Sequence, residues 1–124
     1  MIESQIIARG ITDQRLLEAI RKVPRDEFVP EAYKDRAFDD GPVPIGYNQT
    51  ISQPYIVALM TEELDLQGDE RVLEIGTGSA YQTAILANLV SYVYSVEIIE
   101  ELANRASETL EKLKYKNIKI ICLD

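Results

Sequence analysis

Two acidic side chains and two glycines in the middle of the chain have the types and spacing to hold a charged small molecule. They lie in and just beyond Arg71 to Leu86, RVLEIGTGSAYQTAIL. Gly76 and Gly78 separate a short apolar segment (Val72, Leu73, Ile75) from one with apolar residues at helical spacing (Ala84, Ile85, Ala87, Leu89). Strand, tight turn and helix in that order open the nucleotide-binding α/β sheets. With no Cβ, a glycine there lets the backbone turn sharply and lets a ligand lie against the main chain. Glu74 decides the kind of ligand, because a carboxylate before the turn repels a pyrophosphate and attracts a cation. Glu97 ends the next apolar run, 19 residues after Gly78, near the spacing of about 20 at which an acid takes ribose hydroxyls.

A ligand with an ammonium, a sulfonium and a ribose fits this pattern, and S-adenosylmethionine is such a ligand. Plainer readings of the same residues stand beside it: a glycine turn that is only a turn, and Glu97 as a solvated strand end. Ala80 occupies the place of a third glycine, where alanine is allowed and close packing of helix on strand is at stake.

These residues must be positioned by a β-α-β-α-β unit. After the first strand and helix come a strand over about Tyr92 to Val96, a helix over about Glu100 to Leu113 and a strand over Ile118 to Leu123, which implies three parallel strands. Upstream, Ile2, Ile6 and Ile7 suggest a short helix ending at Gly10. Thr12 is placed to cap the next, whose apolar face (Leu16, Leu17, Ala19, Ile20, Val23) runs until Pro24. Arg25 to Asp40 reads as a charged loop with one helical turn, anchored by Phe28, Val29, Tyr33 and Phe38. GPVPIGYNQTISQ, from Gly41 to Gln53, reads as a loop leading into a helix from Pro54 to about Leu64, with Gln53 or Ser52 as its cap. The chain therefore divides into N-terminal helices with a loop (1–66) and the β-α-β-α-β unit (67–124), within a single domain.

Composition narrows the chemistry. The 124 residues carry 21 acids against 13 bases, a net charge of −8. Such a surface is repelled by phosphate backbones, which argues against a nucleic-acid substrate. No apolar run approaches a membrane span and no leader is recognisable, so the cytoplasm is the default location. The single cysteine, Cys122, lies in an apolar run and is expected to be a buried strand residue. There is no histidine, so a mechanism that deprotonates a neutral nucleophile at pH 7 would need a shifted carboxylate, lysine or tyrosine. An anionic nucleophile needs no base. No metal site is expected.

YNQTISQPYIVALMTEELDL followed by RVLEIGTGSAYQTAILA, with RLLEAIRKVPRDEFVPEAY upstream, resembles the protein-L-isoaspartate O-methyltransferases. The likeness covers essentially the whole chain, and TISQP is its more specific part. It implies a Rossmann-like S-adenosylmethionine-dependent methyltransferase fold of which this chain holds the first βαβαβ half, preceded by N-terminal helices. It implies methyl transfer to the free α-carboxylate of L-isoaspartyl and D-aspartyl residues in damaged proteins, leaving S-adenosyl-L-homocysteine. A carboxylate with a reference pKa near about 4 is already ionised, which agrees with the missing histidine.

By this resemblance Ser52 is the active-site serine, donating to the substrate carboxylate; without it, Ser52 reads as a helix cap. Thr50, Ile51 and Ser52 would meet the substrate. Gln53, Tyr55, Glu74, Gly76, Thr77, Gly78 and Ser79 would meet the cofactor, with Glu97 on the ribose and Asp124 near the adenine amino group. Ala80 departs from the family's usual glycine, and the family's chains continue beyond Asp124. The first strand, apolar on both faces, would then leave an edge for a partner subunit, a swapped element or a further segment to cover. Two alternatives remain: a methyltransferase for another small acceptor, and a non-catalytic fragment that binds cofactor or self-associates.

Overall fold

The computed structural model describes residues 1–123. Ile2–Ile6 forms a wide π-type turn and Ile7–Arg9 a 3-10 turn, ended by Gly10 at φ 100°. Helix α1, Gln14–Lys22, is capped by Asp13 rather than Thr12. Asp13 has extended backbone angles, and its Oδ1 accepts the amides of Arg15 (3.0 Å) and Leu16 (3.2 Å), two of the donors a helix start leaves free.

Two segments read as loops are ordered. Arg25–Phe28 and Glu31–Arg36 are both 3-10 helices, each entered from a proline whose fixed φ prepares the turn. Phe28 and Val29 anchor them in the core, whereas Phe38 is half exposed and anchors nothing. The stretch before the second apolar helix is a hairpin, β1 (Val43–Gly46) paired antiparallel with β2 (Gln49–Ile51). Tyr47 and Asn48 connect them at φ 57° and 58°. Two consecutive left-handed residues match the strand twist of a two-residue hairpin turn. Tyrosine is an unusual occupant of that position, which hid the turn in the sequence. Arg105 holds the hairpin from outside, donating from Nη1 to the Ile45 carbonyl at 2.6 Å and lying over the Tyr47 ring.

Helix α2, Pro54–Glu63, starts with proline in its first turn as expected. β3 (Arg71–Ile75), α3 (Tyr81–Ala87), β4 (Tyr92–Glu97), α4 (Glu100–Lys112) and β5 (Ile118–Cys122) then build a parallel sheet in the order β3-β4-β5. The register aligns Val72 with Val93 and Ile118, and Glu74 with Ser95 and Ile120. Because side chains alternate along strands, these rows share one face, and Val72, Val93, Ile118 and Ile120 join the core there. The opposite face carries Leu73 and Ile75, 64% and 75% exposed. α1 packs on α2 and α3, and α4 on β4 and β5.

The outer edge of β3 has no strand partner among the described residues. Self-association through it gains no support beyond that open edge. Cys122, expected to be buried, is exposed, since β5 is the other edge strand and little covers its end. No helix among the described residues is long and apolar enough to cross a membrane.

Candidate functional site

The parallel register does the positioning. β3 ends at Ile75 and the chain turns through Gly76 (φ 94°) and Gly78 (φ 55°) into α3. The turn is tied to the end of β4: the amides of Gly76 (2.8 Å) and Thr77 (3.1 Å) both donate to the Val96 carbonyl. The Gly78 amide donates to Glu97 Oε1 at 2.7 Å, and the Ile99 amide to its Oε2 at 3.1 Å. Glu97 is thus a buried clasp of the turn, not the solvated strand end that was its plainer reading. Each carboxylate oxygen can accept more than one donor, so these bonds leave it acceptor capacity.

Glu74 points to the covered face of β3. Its Oε1 accepts the hydroxyls of Ser95, at 2.6 Å, and Thr83. Ser95 Oγ also bonds Thr77 Oγ1 at 2.6 Å. Burial pushes the Glu74 carboxyl above the usual range; the two hydroxyls pull it down and the nearby Glu97 charge pushes it up. Ser95 and Thr83 were invisible to motif reasoning. The alternation of β4 and the register with Glu74 are the signals that could have found Ser95.

Two adjoining hollows open at the turn. A small one of about 90 Å³ is lined by residues that include Thr50, Ile51, Ser52, Glu74, Gly76 to Ser79 and Tyr81. A larger one of about 290 Å³ shares Thr50, Gly76 and Gly78 with it and reaches Glu97, Ile98 and Ile99. A Cβ added at Gly76 would meet no protein atom within 4 Å, so the main chain at Gly76 lies open to a ligand. The open glycine, the carboxylate beside it and Glu97 beyond fit a ligand with a cationic end and a hydroxyl-bearing end. Among the described residues no three His, Cys, Asp or Glu side chains group as a metal site.

The hairpin and the start of α2 bring Ser52 to the rim of the small hollow, where it is exposed. The N-cap of α2 is Gln53 and no side chain caps the helix, so the Ser52 hydroxyl is not committed as a cap. Of the residues singled out in the sequence, Thr50, Ile51, Ser52, Glu74, Gly76, Thr77, Gly78 and Ser79 come together on the small hollow and Glu97 on the larger one. Gln53 and Tyr55 turn elsewhere: Gln53 Nε2 donates to Asp40 Oδ1 at 2.8 Å, and the Tyr55 ring carries the Arg9 guanidinium 5.4 Å from its centroid. Ser52 and Val57 line the hollow and the side chains between them do not, because the chain turns at the Gln53 cap and α2 then rotates each successive side chain by a large angle. Asp124 lies outside the described residues. Tyr81 and Gln82 line the hollow and were not anticipated.

The family described as protein-L-isoaspartate(D-aspartate) O-methyltransferase matches residues 1–124. A curated relative from Syntrophobacter fumaroxidans, protein-L-isoaspartate O-methyltransferase 1, is 60% identical over 124 residues, all of this chain and 58% of its own length. One from Syntrophus aciditrophicus is 58% identical over 120 residues, 97% of this chain and 55% of its own. The chain thus spans little more than half the length of these relatives. Among solved structures, a protein-L-isoaspartate O-methyltransferase matches 95% of this chain and 39% of its own with a TM-score of 0.86 and 28% identity. A second, from Plasmodium falciparum and described as in complex with S-adenosyl-L-homocysteine, matches 93% and 58% with a TM-score of 0.78 and 29% identity.

Proposed function

Since this chain belongs to the protein-L-isoaspartate(D-aspartate) O-methyltransferase family, we propose that its two hollows bring S-adenosylmethionine together with the free carboxylate of the acceptor residue, the α-carboxylate of an L-isoaspartyl or the side-chain carboxylate of a D-aspartyl residue. The observation that carries this is that Glu74 and Ser52, one from the sheet and one from the loop before α2, line the same small hollow. Glu74 receives the ammonium of the cofactor, the open backbone at Gly76 to Ser79 carries its methionine part, and Glu97 accepts from the ribose. Thr50, Ile51 and Ser52 receive the substrate, the Ser52 hydroxyl donating to its carboxylate.

When bound, S-adenosylmethionine supplies the methyl group: the C–S bond breaks as the carboxylate oxygen forms the ester, the electron pair stays on sulfur, and S-adenosyl-L-homocysteine remains. The chain's own contribution is positional. The nucleophile is ionised at pH 7, so no side chain has to remove a proton. The loop orients it in line and partly strips its water, and the register-fixed turn holds the other partner still. The neighbouring backbone amide nitrogen then attacks the ester carbonyl, loses its proton and expels methanol, and hydrolysis of the resulting succinimide returns some normal aspartate.

Transfer of labelled methyl to an isoaspartyl peptide, and not to its aspartyl twin, is the expected result. Equal labelling of both would replace this with a methyltransferase for another acceptor. A second reading, cofactor binding without turnover, is favoured by the bare face at Leu73 and Ile75, which lies beside the site. Binding by calorimetry with no labelled product would select it.

A further inference from the structure

Arg25 is the most deeply buried charged side chain among the described residues. It leads the 3-10 turn after Pro24 and reaches three other segments. Its Nε donates to the Ala37 carbonyl at 2.6 Å and its Nη2 to the Ser52 carbonyl at 2.9 Å. The guanidinium carbon lies 4.8 Å from the centroid of the Tyr81 ring, the same Tyr81 that lines the small hollow from the start of α3. Tyr81 is held in turn by an edge-to-face contact with Phe28, three residues from Arg25. Nη1 has no partner.

Among the described residues the partners of this cation are carbonyls and a ring, not a carboxylate. A buried charge without a counter-ion is costly, and an apolar side chain of similar length would fill the space without that cost. What an apolar side chain could not do is hold two carbonyls of separate segments in one plane, as the rigid guanidinium fork does. The carbonyl it holds belongs to the peptide that joins Ser52 to Gln53. On the other side Pro54 restricts Gln53, which sits at φ −49°, ψ 137°, outside the helical region. Fixing that peptide plane, with β2 ending at Ile51 on the preceding side, restricts where the Ser52 Cα–Cβ bond can point.

We propose that Arg25 is a positioning residue for the methyl-transfer site: it pins the Ser52 carbonyl against α3 and so aims the Ser52 hydroxyl into the hollow it shares with Tyr81 and Glu74. This rests on the function proposed above, because only that function gives the Ser52 hydroxyl a task. Lysine keeps the charge but offers a point donor that cannot span both carbonyls, so Arg25→Lys and Arg25→Gln should fail alike.

The test compares both variants with the parent 124-residue chain. Hydrogen exchange is followed by mass spectrometry, S-adenosyl-L-homocysteine binding by calorimetry, and labelled-methyl transfer to an isoaspartyl peptide by kcat and KM. Expected are exchange at least about tenfold faster in peptides covering residues 50–53, with the β3-β4-β5 sheet within about twofold of the parent, since local opening differs from global loss. Affinity for S-adenosyl-L-homocysteine stays within about threefold, while kcat falls at least about tenfold at unchanged KM for S-adenosylmethionine. Unchanged exchange at 50–53, or an even rise across all amides, overturns the proposal. Loss of folding in both variants overturns it equally, because Arg25 would then support the whole core and not one loop. A parent chain without turnover overturns the methyl-transfer reading instead, and the exchange pattern still decides Arg25.

Discussion

Glu74→Gln should make the unliganded protein more stable at pH 7 while weakening its hold on S-adenosylmethionine, two effects of opposite sign from one isosteric change. The carboxyl is buried against the sheet with two hydroxyl donors among the described residues, Ser95 and Thr83, both on one oxygen. Glutamine preserves the volume and an acceptor oxygen for both hydroxyls. What changes is that each bond falls from the about 1.5–3 kcal/mol of a charged acceptor toward about 1 kcal/mol, against relief of a desolvation penalty of about several kcal/mol. The raised pKa of Glu74, with burial as its largest cause, says that the penalty outweighs the bonds. The sign follows by linkage: a carboxyl whose folded pKa exceeds its unfolded one binds more protons folded than unfolded, so stability falls as pH rises from the unfolded pKa through the folded one. The variant lacks that fall. A gain of about 1 kcal/mol at pH 7, or about 4 °C in Tm for a chain of this size, should shrink at pH 4. Binding to S-adenosylmethionine should weaken by about 10- to 100-fold, the value of a charge-assisted contact. Urea denaturation from pH 4 to 8 and calorimetry read the two effects. A variant less stable than the parent at pH 7, with undiminished affinity, would refute the electrostatic account of the turn.

Other expectations are simpler. Ser52→Ala should leave S-adenosyl-L-homocysteine affinity within about twofold and lower turnover on an isoaspartyl peptide at least about tenfold; full turnover would remove Ser52 from the chemistry. Ala80, at φ 76° and fully buried, bears a left-handed strain of about 1–2 kcal/mol, partly offset by a buried methyl worth about 0.8 kcal/mol. Ala80→Gly should therefore gain up to about 1 kcal/mol in thermal denaturation, and a loss would mean that the methyl's packing dominates. Asp40, bonded by Arg9 and then Gln53, titrates at about 2. Its contribution to stability is present above its unfolded value of 3.8 and lost as pH falls through about 2. Carboxyl NMR should place its midpoint there and find it returned toward the ordinary range in Arg9→Ala.

The β-α-β-α-β unit was legible because its signals are local: apolar runs of strand length, a glycine turn, and a helix whose charged residues alternate with Leu102, Ala106 and Leu110. The two acids were legible because their spacing from the glycines reports the turn directly. What stayed hidden depends on partners distant in sequence. The hairpin needs Tyr47 and Asn48 in a left-handed turn that tyrosine does not advertise. Ser95 and Thr83 acquire meaning only once the β3–β4 register and the packing of α3 set them around Glu74. Arg25 read as one more charge in a charged stretch, and nothing local says that its neighbours are the carbonyls of Ala37 and Ser52 and the ring of Tyr81. Gln53 and Tyr55 are the converse case, since neighbours in a motif need not share a surface: Gln53 bonds Asp40 and the Tyr55 ring lies under Arg9.

The pairing of β3 with β4 has a consequence for how the centre responds to ligands. Ser95 and Glu97 sit two positions apart on one strand, the first orienting Glu74 and the second fastening Gly78. A molecule that orders either acid would therefore act on the strand that both depend on. Recognition of the charged tail and of the sugar should accordingly be cooperative, with half-molecules of the ligand binding far more weakly than their sum suggests.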